Sequence, residues 1–398
     1  MPTKPIKIGI IGCGHIAHKH LESYERIMQK EGDLFRITSV CDHAEESAKA
    51  FAGRVAEWQD QEPMVHTDVH KMVVHYDLDG ADICTPHYDH HITGVQCLEA
   101  GTNVLIEKPF GVTVKASRLI IDAAKRNGLI TACANNTRRE PAQRAAHWAI
   151  HRQGMIGEPR MFVMQHAGYH RPNTPQAWHW RTDKFMGGGG MIMDQGVHFA
   201  DTMSYLFGEP ERIYATVRQH EKWPYIREGK TVFDDREDTW MVIISFKNGV
   251  DGFWSMTAVA PGEETTQIAY YGSAGSIIDD GDVFRGPFPG ARITRQGEET
   301  RLLSEIIPEY MAGLSAEDRG WLFPHGFEDG MTLEVYDFLR AIATESQPEI
   351  DGGTGLRTKA ICEAVYESGH CHEALPYDGV VSGFIVGYQR EINEHWGI

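Results

Sequence analysis

The chain has 398 residues, of which 41% are hydrophobic and 24% are charged, and its formal net charge is −18 at neutral pH. The composition is typical of a globular protein, and the length exceeds what one hydrophobic core usually spans, so we expect two domains. The strong negative charge disfavours nucleic acids and anionic membrane surfaces as partners, because both would be repelled.

Three further features limit the class of protein. The sequence contains no run of about 18 apolar residues, which argues against a membrane span. Its first residues, Met1 to Lys7, lack the apolar region of a secretory signal, so a cytoplasmic location is predicted. The seven cysteines are odd in number and include no CxxC pair, which indicates neither a disulfide framework nor a zinc knuckle.

The first 136 residues alternate between short apolar segments and helical segments. The predicted strands, in chain order, are IKIGIIG, FRITSVC, ADICTP, NVLIEKP and LITACANN. Helices are predicted over about 15–29, 92–100 and 115–127. This alternation is typical of βαβ units and predicts an α/β protein that begins with a doubly wound parallel sheet.

After Arg160 the predicted strands become longer, and few helices separate them. They are MFVMQHAGY, ERIYATVRQH, TWMVIISFKNG, GFWSMTAVA and TQIAYYGSAGSIIDD. This pattern predicts a mostly antiparallel sheet, followed by helices over 327–344 and 357–369. We therefore predict domains over 1–140 and 141–398, with the C-terminal helices as candidates to pack back on the first domain.

A glycine-rich turn joins the first strand to the first helix. Gly12, Gly14 and Ala17 form a GxGxxA pattern, in which Gly12 permits a tight turn and Gly14 lets the backbone approach a pyrophosphate. The start of the helix, at His15 and Ile16, would face the phosphates with its amide dipoles. This pattern predicts a dinucleotide cofactor.

Asp42 follows the second strand at the position expected for a ribose ligand. A carboxylate there accepts hydrogen bonds from the ribose hydroxyls and repels a 2′-phosphate, which favours NAD over NADP. The neighbouring His43 is a complication, because a basic residue after the acid sometimes accommodates that phosphate. A purely structural alternative makes Asp42 the N-cap of the following helix.

Polar residues also follow the later strands of the first domain. Thr85 ends one strand and Glu107-Lys108 ends the next, at the edge where open parallel sheets bind ligands. The ammonium group of Lys108 could hydrogen-bond a reacting hydroxyl and stabilise developing alkoxide charge. The structural alternative is an ordinary surface lysine, which the following Pro109 makes less attractive.

A second group of candidates follows a run of four glycines, from Gly187 to Gly190. Asp194 and His198 are four residues apart and would share one face of a helix. A histidine beside an alcohol is a natural general base, and Asp194 could orient it or bind substrate. The alternative is an ordinary helical Asp–His pair, but the glycines favour a backbone that passes close to a ligand.

These motifs together resemble the glucose–fructose oxidoreductase, inositol dehydrogenase and MocA family. The matching segments, in family order and over almost the whole chain, are GxGxxA at 12–17, TPxxxH at 85–90, EKP at 107–109, NTRREPA at 136–142 and GGGxxxDxGxH at 188–198. The resemblance implies an N-terminal Rossmann domain that binds NAD over 1–140. It also implies an α/β domain over 141–398 with a large, open, mostly antiparallel sheet that binds substrate and often forms the oligomer interface.

The family pattern also implies roles for individual residues. The predicted catalytic residues are Lys108, Asp194 and His198. The predicted cofactor contacts are Gly12, Gly14, His15, Ile16, Asp42, Thr85, His87, His90, Glu107, Lys108, Asn136, Trp180 and Arg181. The predicted substrate contacts are Lys108, Arg138, Tyr169, His179, Asp194 and His198. Two positions depart from the pattern, since His87 replaces a frequent asparagine and Thr137 a common arginine.

The segment QHAGYHRPNTPQAWHWR is polar, aromatic and rich in histidine, and it precedes the glycine run. We predict a loop over the active site whose aromatic rings stack on a sugar. His166, His170 and His179 show no compact ligand spacing with Asp194 or His198, so no metal is predicted.

Three functional hypotheses follow. The first is a dehydrogenase that oxidises a secondary ring hydroxyl of a sugar, glycoside or cyclitol and that forms a homo-oligomer, a dimer or tetramer. The second is a glycosidase or epimerase that keeps NAD bound and recycles it within each turnover. The third is an NAD-binding regulator without catalysis, which the presence of Lys108, Asp194 and His198 disfavours.

Overall fold

The structure of the chain is a computed structural model that describes residues 4–398. Two units are distinguished by their internal contacts. The first comprises the chain up to Asn136 together with Leu322–Leu356, and the second comprises Thr137–Trp321 together with Arg357–Ile398. The chain thus enters the first unit twice. The assignment of substrate binding and oligomerisation to 141–398 stays a prediction.

The strands of the described residues, in chain order, are β1 (Ile6–Ile11), β2 (Phe35–Cys41), β3 (Met64–His66), β4 (Gly80–Ile83), β5 (Asn103–Glu107), β6 (Thr131–Ala134), β7 (Pro159–Ala167), β8 (Gln176–Ala177), β9 (Pro210–Arg218), β10 (Pro224–Arg227), β11 (Lys230–Phe233), β12 (Thr239–Phe246), β13 (Asp251–Thr257), β14 (Thr265–Gly272), β15 (Gly275–Asp279), β16 (Arg292–Arg295), β17 (Arg301–Leu302) and β18 (Leu375–Pro376). The α-helices are α1 (His15–Met28), α2 (Glu45–Ala56), α3 (Val69–His75), α4 (His90–Glu99), α5 (Val114–Asn127), α6 (Pro141–His151), α7 (Lys184–Gly187), α8 (Met191–Asp194), α9 (Gly196–Phe207), α10 (Leu303–Gly313), α11 (Ala316–Leu322), α12 (Gly330–Thr344), α13 (Gly352–Cys371), α14 (Tyr377–Val381) and α15 (Arg390–His395).

Strands β1 to β6 of the first unit form one sheet in the order β3-β2-β1-β4-β5-β6. All neighbouring pairs are parallel, as the alternation of strand and helix predicts. The chain direction along the sheet reverses between β1 and β4, which is where such sheets bind ligands beyond the carboxyl ends of their strands. The turn after β1 and the segments after β2, β4 and β5 therefore lie along one edge.

Apolar side chains of β1 and two helices build the core on one face of this sheet. Ile8 and Ile10 of β1 are buried together with Leu21 of α1. Phe338 and Leu339 of α12 complete the same cluster, so the second passage of the chain through this unit supplies part of its core. Burial of each such side chain contributes about 1.5–3 kcal/mol.

Nine strands of the second unit form a mixed sheet in the order β17-β16-β15-β14-β7-β13-β12-β9-β18. Every neighbouring pair in it is antiparallel except β7 and β13, which run parallel. The predicted fold class is therefore confirmed. A separate three-stranded sheet, in the order β11-β10-β8, includes part of the segment that the sequence analysis treats as a loop.

One face of the nine-stranded sheet is covered, and the other exposes apolar side chains. Trp240 and Val242 of β12 are buried, whereas the alternating Met241 and Ile243 are 56% and 52% exposed. Helix α9 packs on the covered face, where Phe199 stacks on Trp254 with ring centroids 4.2 Å apart. No helix within residues 4–398 combines the length and apolar character that crossing a membrane requires.

Candidate active site

Gly12 and Gly14 form the turn between β1 and α1. Gly12 has a φ of +86°, and a Cβ there would lie 2.8 Å from the backbone of Cys84, so only glycine fits. A Cβ on Gly14, the N-cap of α1, would meet no atom within 4 Å, and no side chain caps this helix end. The amides at the helix start are therefore not capped by a side chain, and the open space beside Gly14 suits the close approach of a pyrophosphate. His15 and Ile16 are the first two residues of the helix.

The carboxylate of Asp42 fastens this turn to the end of β2. One oxygen accepts a hydrogen bond from the Cys13 N–H at 2.8 Å, and the other accepts one from the Ala44 N–H at 2.8 Å. The N-cap of α2 is Ala44, so the structural alternative that Asp42 is itself the helix cap is wrong. Its side chain is 12% exposed and lies against the glycine turn, where a ribose bound to that turn would be within reach of a carboxylate.

The segment after β4 contains the three residues predicted from the TPxxxH motif. The hydroxyl of Thr85 is buried without a hydrogen-bond partner among residues 4–398, as expected for a group that binds a ligand. His87 is buried, with 3% exposure. Both ring nitrogens of His90 face backbone carbonyls, at 2.8 Å from Pro109 and 2.9 Å from Thr85. His90 thus braces the segments after β4 and β5 against each other, and a direct cofactor contact through it stays a prediction.

Glu107 ends β5 with its side chain turned into the interior. One oxygen lies 3.2 Å from Nε2 of His20, and the other accepts the backbone N–H of Lys108 at 2.9 Å. Nδ1 of His20 lies 2.9 Å from Asp82. Burial alone would lower the pKa of His20, but Asp82 and Cys84 together outweigh it, and the pKa is raised well above its usual value. This buried network fixes the position of the backbone at Lys108. A cofactor contact through Glu107 stays a prediction.

Asn136 is the last residue of the first unit before the chain enters the second. Its backbone packs against Gly330 at the start of α12, where a Cβ would lie 2.4 Å from the carbonyl oxygen of Asn136. The absence of a side chain at Gly330 therefore lets the two segments pack closely.

In the second unit, Asp194 and His198 belong to two helices and not to one. Asp194 ends α8, His198 lies in the first turn of α9, and Gln195 interrupts the helix between them. The His198 N–H donates to the carbonyl of Gln195 at 3.0 Å. A Cβ on Gly196 would lie 2.7 Å from the Trp254 ring, so the chain is held against that ring where α9 begins. The prediction of one continuous helix face is therefore wrong.

The glycine run makes room for protein side chains. A Cβ on Gly189 would lie 2.3 Å from the Tyr366 hydroxyl, and one on Gly190 would lie 2.7 Å from the Glu237 carboxylate. Glu237 accepts hydrogen bonds from the N–H groups of Gly190, at 3.1 Å, and Ile192, at 2.9 Å. The close approach that the sequence analysis assigns to a ligand is thus made by Tyr366 and Glu237. These two side chains hold the start of α8 and so place Asp194.

His198 is 2% exposed, and each of its ring nitrogens faces a different neighbour. Nδ1 lies 3.3 Å from the Thr137 hydroxyl, and Nε2 lies 3.5 Å from the Arg285 guanidinium. Arg285 also donates to the side chain of Gln195 at 3.1 Å. The Arg285 guanidinium has only hydrogen-bond donors, so Nε2 is the acceptor in this contact and is the ring atom that could take up a proton.

The side chain of Arg138 makes a two-point contact with Asp201 of α9. Its Nε donates to Asp201 at 2.7 Å, and its Nη2 reaches the other carboxylate oxygen. Asp201 is 1% exposed and also accepts a hydrogen bond from Thr358 at 3.2 Å. This pair fastens the short helix 137–139 to α9, next to His198. A substrate contact through Arg138 stays a prediction.

Residues of the histidine-rich segment lie in different surroundings. Tyr169 is 45% exposed, with its hydroxyl 3.4 Å from Glu221. His179 directly precedes the short helix 180–182, and its pKa is lowered by burial and by the nearby Arg236 and Arg181. Arg181 stacks on Trp180 at 4.2 Å and its Nε lies 3.5 Å from Asp194.

Of the predicted residues, the structure therefore brings Arg181 to Asp194 and places His179 near both. Sequence reasoning did not identify Arg285, Glu237 and Tyr366 as parts of this site. Each lies at least 40 positions from the residue that it contacts there. The only signal in the sequence was the glycine run itself, which indicates close packing without naming the partner.

Two family models match the chain. One, described as an oxidoreductase family with an NAD-binding Rossmann fold, matches residues 6–135. The other, described as the GFO/IDH/MocA C-terminal domain, matches residues 146–278.

Relatives with named activities match over most of the chain. It is 25% identical over 394 residues to a levoglucosan dehydrogenase of Pseudarthrobacter phenanthrenivorans, covering 91% of this chain and 96% of that one. It is 32% identical over 299 residues to a 1,5-anhydro-D-fructose reductase of Ensifer adhaerens, covering 72% of this chain and 84% of the relative.

Solved structures show the same fold. A levoglucosan dehydrogenase in complex with NADH and L-sorbose superimposes with a TM-score of 0.74 at 21% sequence identity, covering 94% of this chain and 99% of that one. The predictions of an NAD-binding oxidoreductase and of its family are confirmed by the family models and relatives.

Proposed function

Because the chain belongs to the glucose–fructose oxidoreductase, inositol dehydrogenase and MocA family, we propose that it transfers a hydride between NAD and a secondary ring hydroxyl of a sugar, glycoside or cyclitol. The proposal rests on the arrangement of residues at one edge of the first sheet. There Lys108 follows β5 beside the buried hydroxyl of Thr85, on the side where Gly12 and Asp42 complete a dinucleotide cradle. The sugar class is supported by relatives named for levoglucosan and 1,5-anhydro-D-fructose.

The residues present fit NAD. The uncapped start of α1 and the open space beside Gly14 suit a pyrophosphate. Asp42 would hold the ribose hydroxyls and disfavour a 2′-phosphate, so NAD is preferred over NADP. When bound, the nicotinamide ring supplies the hydride acceptor for the oxidation.

The chain's own residues handle the proton. As the carbinol carbon loses a hydride and the hydroxyl loses its proton, Lys108 stabilises negative charge on the oxygen through its ammonium group. His198 receives the proton at Nε2, with Nδ1 held by Thr137. Asp194, beside Arg181, binds substrate hydroxyls. The products are a keto sugar, NADH and a proton, which balances the reaction.

Two further assignments belong to this proposal. We propose that Tyr169 and His179 contact the sugar ring, since both are accessible in the histidine-rich segment. We also propose a cytoplasmic homo-oligomer. The subunits would contact each other through the sheet face on which Met241 and Ile243 are exposed. Light scattering of the purified protein measures the mass of the oligomer directly.

A substrate panel tests the proposed function. The purified chain is incubated with NAD and, one at a time, levoglucosan, 1,5-anhydroglucitol, methyl glucosides and myo-inositol, and NADH is followed by its absorbance. We expect net NADH with at least one member and a matching keto product by mass spectrometry. Cleavage or epimerisation without net NADH would point instead to an internally recycled cofactor, and binding of NAD with no conversion of any member would contradict catalysis.

A further inference from the structure

Two histidines and a glutamate of the second unit converge at the end of β7. His166 lies in β7, His170 lies four residues later, and Glu264 lies directly before β14. The Nε2 atoms of the two histidines are 2.8 Å apart. A carboxylate oxygen of Glu264 and these two nitrogens all lie within 4.8 Å of one another. From this geometry we propose that His166, His170 and Glu264 form a zinc site.

The chemistry of the three ligands suits Zn²⁺. Two imidazole nitrogens and one carboxylate oxygen are a ligand set that zinc accepts, with a fourth position left for water. The spacing of His166 and His170, with three residues between them, falls within the range of histidine pairs in zinc sites. A zinc ion of tetrahedral geometry holds its nitrogen ligands roughly 3.3 Å apart, from bonds of about 2.0 Å, so the two rings need only small movements to bind it.

The first histidine is also oriented from outside the cluster. Nδ1 of His166 lies 2.9 Å from the hydroxyl of Thr266, its neighbour across the β7–β14 pair. A partner on one ring nitrogen fixes the orientation of the ring, which leaves the other nitrogen to face the metal. His170 is fixed through its backbone, because its N–H donates to the carbonyl of Ala258 at 3.0 Å.

Gly168 provides the strongest argument for a built site. A Cβ at this position would lie 2.9 Å from Nε2 of His170, 3.1 Å from Nε2 of His166 and 3.2 Å from Cγ of Glu264. All three side chains therefore converge over one Cα, and a Cβ there would displace at least the ring of His170. The sequence predicted no metal because His166, His170 and His179 show no compact ligand spacing with Asp194 or His198. The third ligand of the proposed site, Glu264, comes instead from the turn between β13 and β14.

A bound ion would clip the β13–β14 turn to the end of β7. The chain from Gly168 leads on to His179 and the helix 180–182, so the clip would anchor the start of the histidine-rich segment. None of the three ligands belongs to the predicted catalytic set, and the inference is independent of the proposed function.

Zinc affinity is the test. The full chain is stripped with a chelator, dialysed and titrated with Zn²⁺ in competition with a chromophoric chelator. We expect about one tight equivalent per chain, and a melting temperature that rises by several degrees with zinc. Separate His170→Ala and Glu264→Gln variants should each weaken that equivalent by on the order of 10- to 100-fold.

Two matched controls distinguish zinc binding at the proposed site from nonspecific zinc binding by other exposed histidines. His70→Ala removes an exposed histidine of α3 and should leave zinc affinity unchanged. Gly168→Ala should weaken zinc binding as a ligand variant does, whereas Gly290→Ala, where a Cβ meets nothing within 4 Å, should not. A wild-type affinity no greater than that of the His170→Ala protein, or a Glu264→Gln protein that binds zinc like the wild type, would overturn the proposal.

Discussion

The predicted site residues of the two units are held in place by different means. At the edge of the first sheet, Gly12 and Lys108 each follow directly on a strand, and their positions depend on short motifs and parallel pairing. In the second unit, Asp194 and His198 depend on distant partners. The backbone before Asp194 is held by Glu237, and Nε2 of His198 faces Arg285.

This difference has a consequence for mutation. A substitution at the sheet edge should act on the residue's own chemistry, because its backbone is fixed by the sheet. In the second unit, a substitution outside the predicted catalytic set should also reduce activity, because it moves the residues that belong to the set. The predictions below test this contrast, beginning with the largest expected effect.

His198→Asn should lower kcat by about 100- to 10,000-fold, because asparagine cannot accept the proton at working pH. Asparagine retains polar atoms near Thr137 and limits the loss of packing. The rate of NADH formation with the best substrate of the panel measures the effect, and His70→Ala is the surface control. Turnover at the wild-type rate would remove His198 from the mechanism.

Asp42→Ala should weaken NAD binding by about 10- to 100-fold, because hydrogen bonds to a charged group contribute roughly 1.5–3 kcal/mol. The affinity for NADP should fall less than the affinity for NAD, because the carboxylate that repels the 2′-phosphate is gone. Fluorescence titration of both cofactors measures the change. His70→Ala, at an exposed histidine of α3, is the control. Wild-type protein that binds NADP more tightly than NAD would contradict the role of Asp42.

Glu237→Gln should lower both stability and kcat, the latter by roughly 10-fold, with a smaller change in KM. Both carboxylate oxygens accept backbone N–H groups, from Gly190 and Ile192, so the NH₂ of a glutamine faces a donor in either orientation. We expect a free energy of unfolding lower by about 1–3 kcal/mol. Thermal melting and steady-state kinetics measure the two effects.

Tyr366→Phe should show the same effects in a weaker form, because Glu237 remains to hold the backbone. Glu211→Gln changes an exposed acid of the same unit and is the control. If Glu237→Gln lowers stability while kcat stays unchanged, the α8 segment does not place Asp194 as described, and the contrast between the two regions fails.

The smallest expected effect concerns a buried ion pair, Lys359 and Glu363, next to helix α8. Lys359 lies 3.4 Å from the sulfur of Met193 and forms an ion pair with Glu363. Burial raises the pKa of Glu363 from its ordinary value of 4.5 to about 7, in spite of the lysine. Between pH 4.5 and about pH 7 the folded chain therefore binds more protons than the unfolded chain. The free energy of unfolding should fall as the pH rises through this range.

Glu363→Gln should remove that part of the pH dependence, on the order of 1 kcal/mol. Urea unfolding at pH 5 and pH 8, for the wild type and the variant, measures it. An identical pH dependence in both proteins would show that Glu363 does not titrate in this range.

Sequence reasoning was most successful where the determinants are local. The elements β1, α1 and β2 follow the predicted segments closely, because short apolar strands and the GxGxxA turn specify them without distant help. The parallel sheet, and with it the common edge of Thr85 and Lys108, follows from the alternation of strand and helix.

Prediction failed where packing between distant segments decides the structure. The break at Gln195 depends on the contact between Gly196 and Trp254, which the periodicity of the helix does not contain. The glycine run correctly indicated a close approach, but the approaching groups are Tyr366 and Glu237. No local pattern indicates that Arg285, 87 residues along the chain, reaches His198.

The most direct test of the central claim is hydride transfer in a Lys108→Ala protein. Single-turnover formation of NADH is followed with the best substrate of the panel, and binding of NADH is checked by fluorescence. Lys115→Ala, at an exposed lysine of α5, is the control. The account predicts that Lys108→Ala binds NADH within a few-fold of the wild type but transfers hydride at least about 100-fold more slowly. Hydride transfer at the wild-type rate in this variant would contradict it.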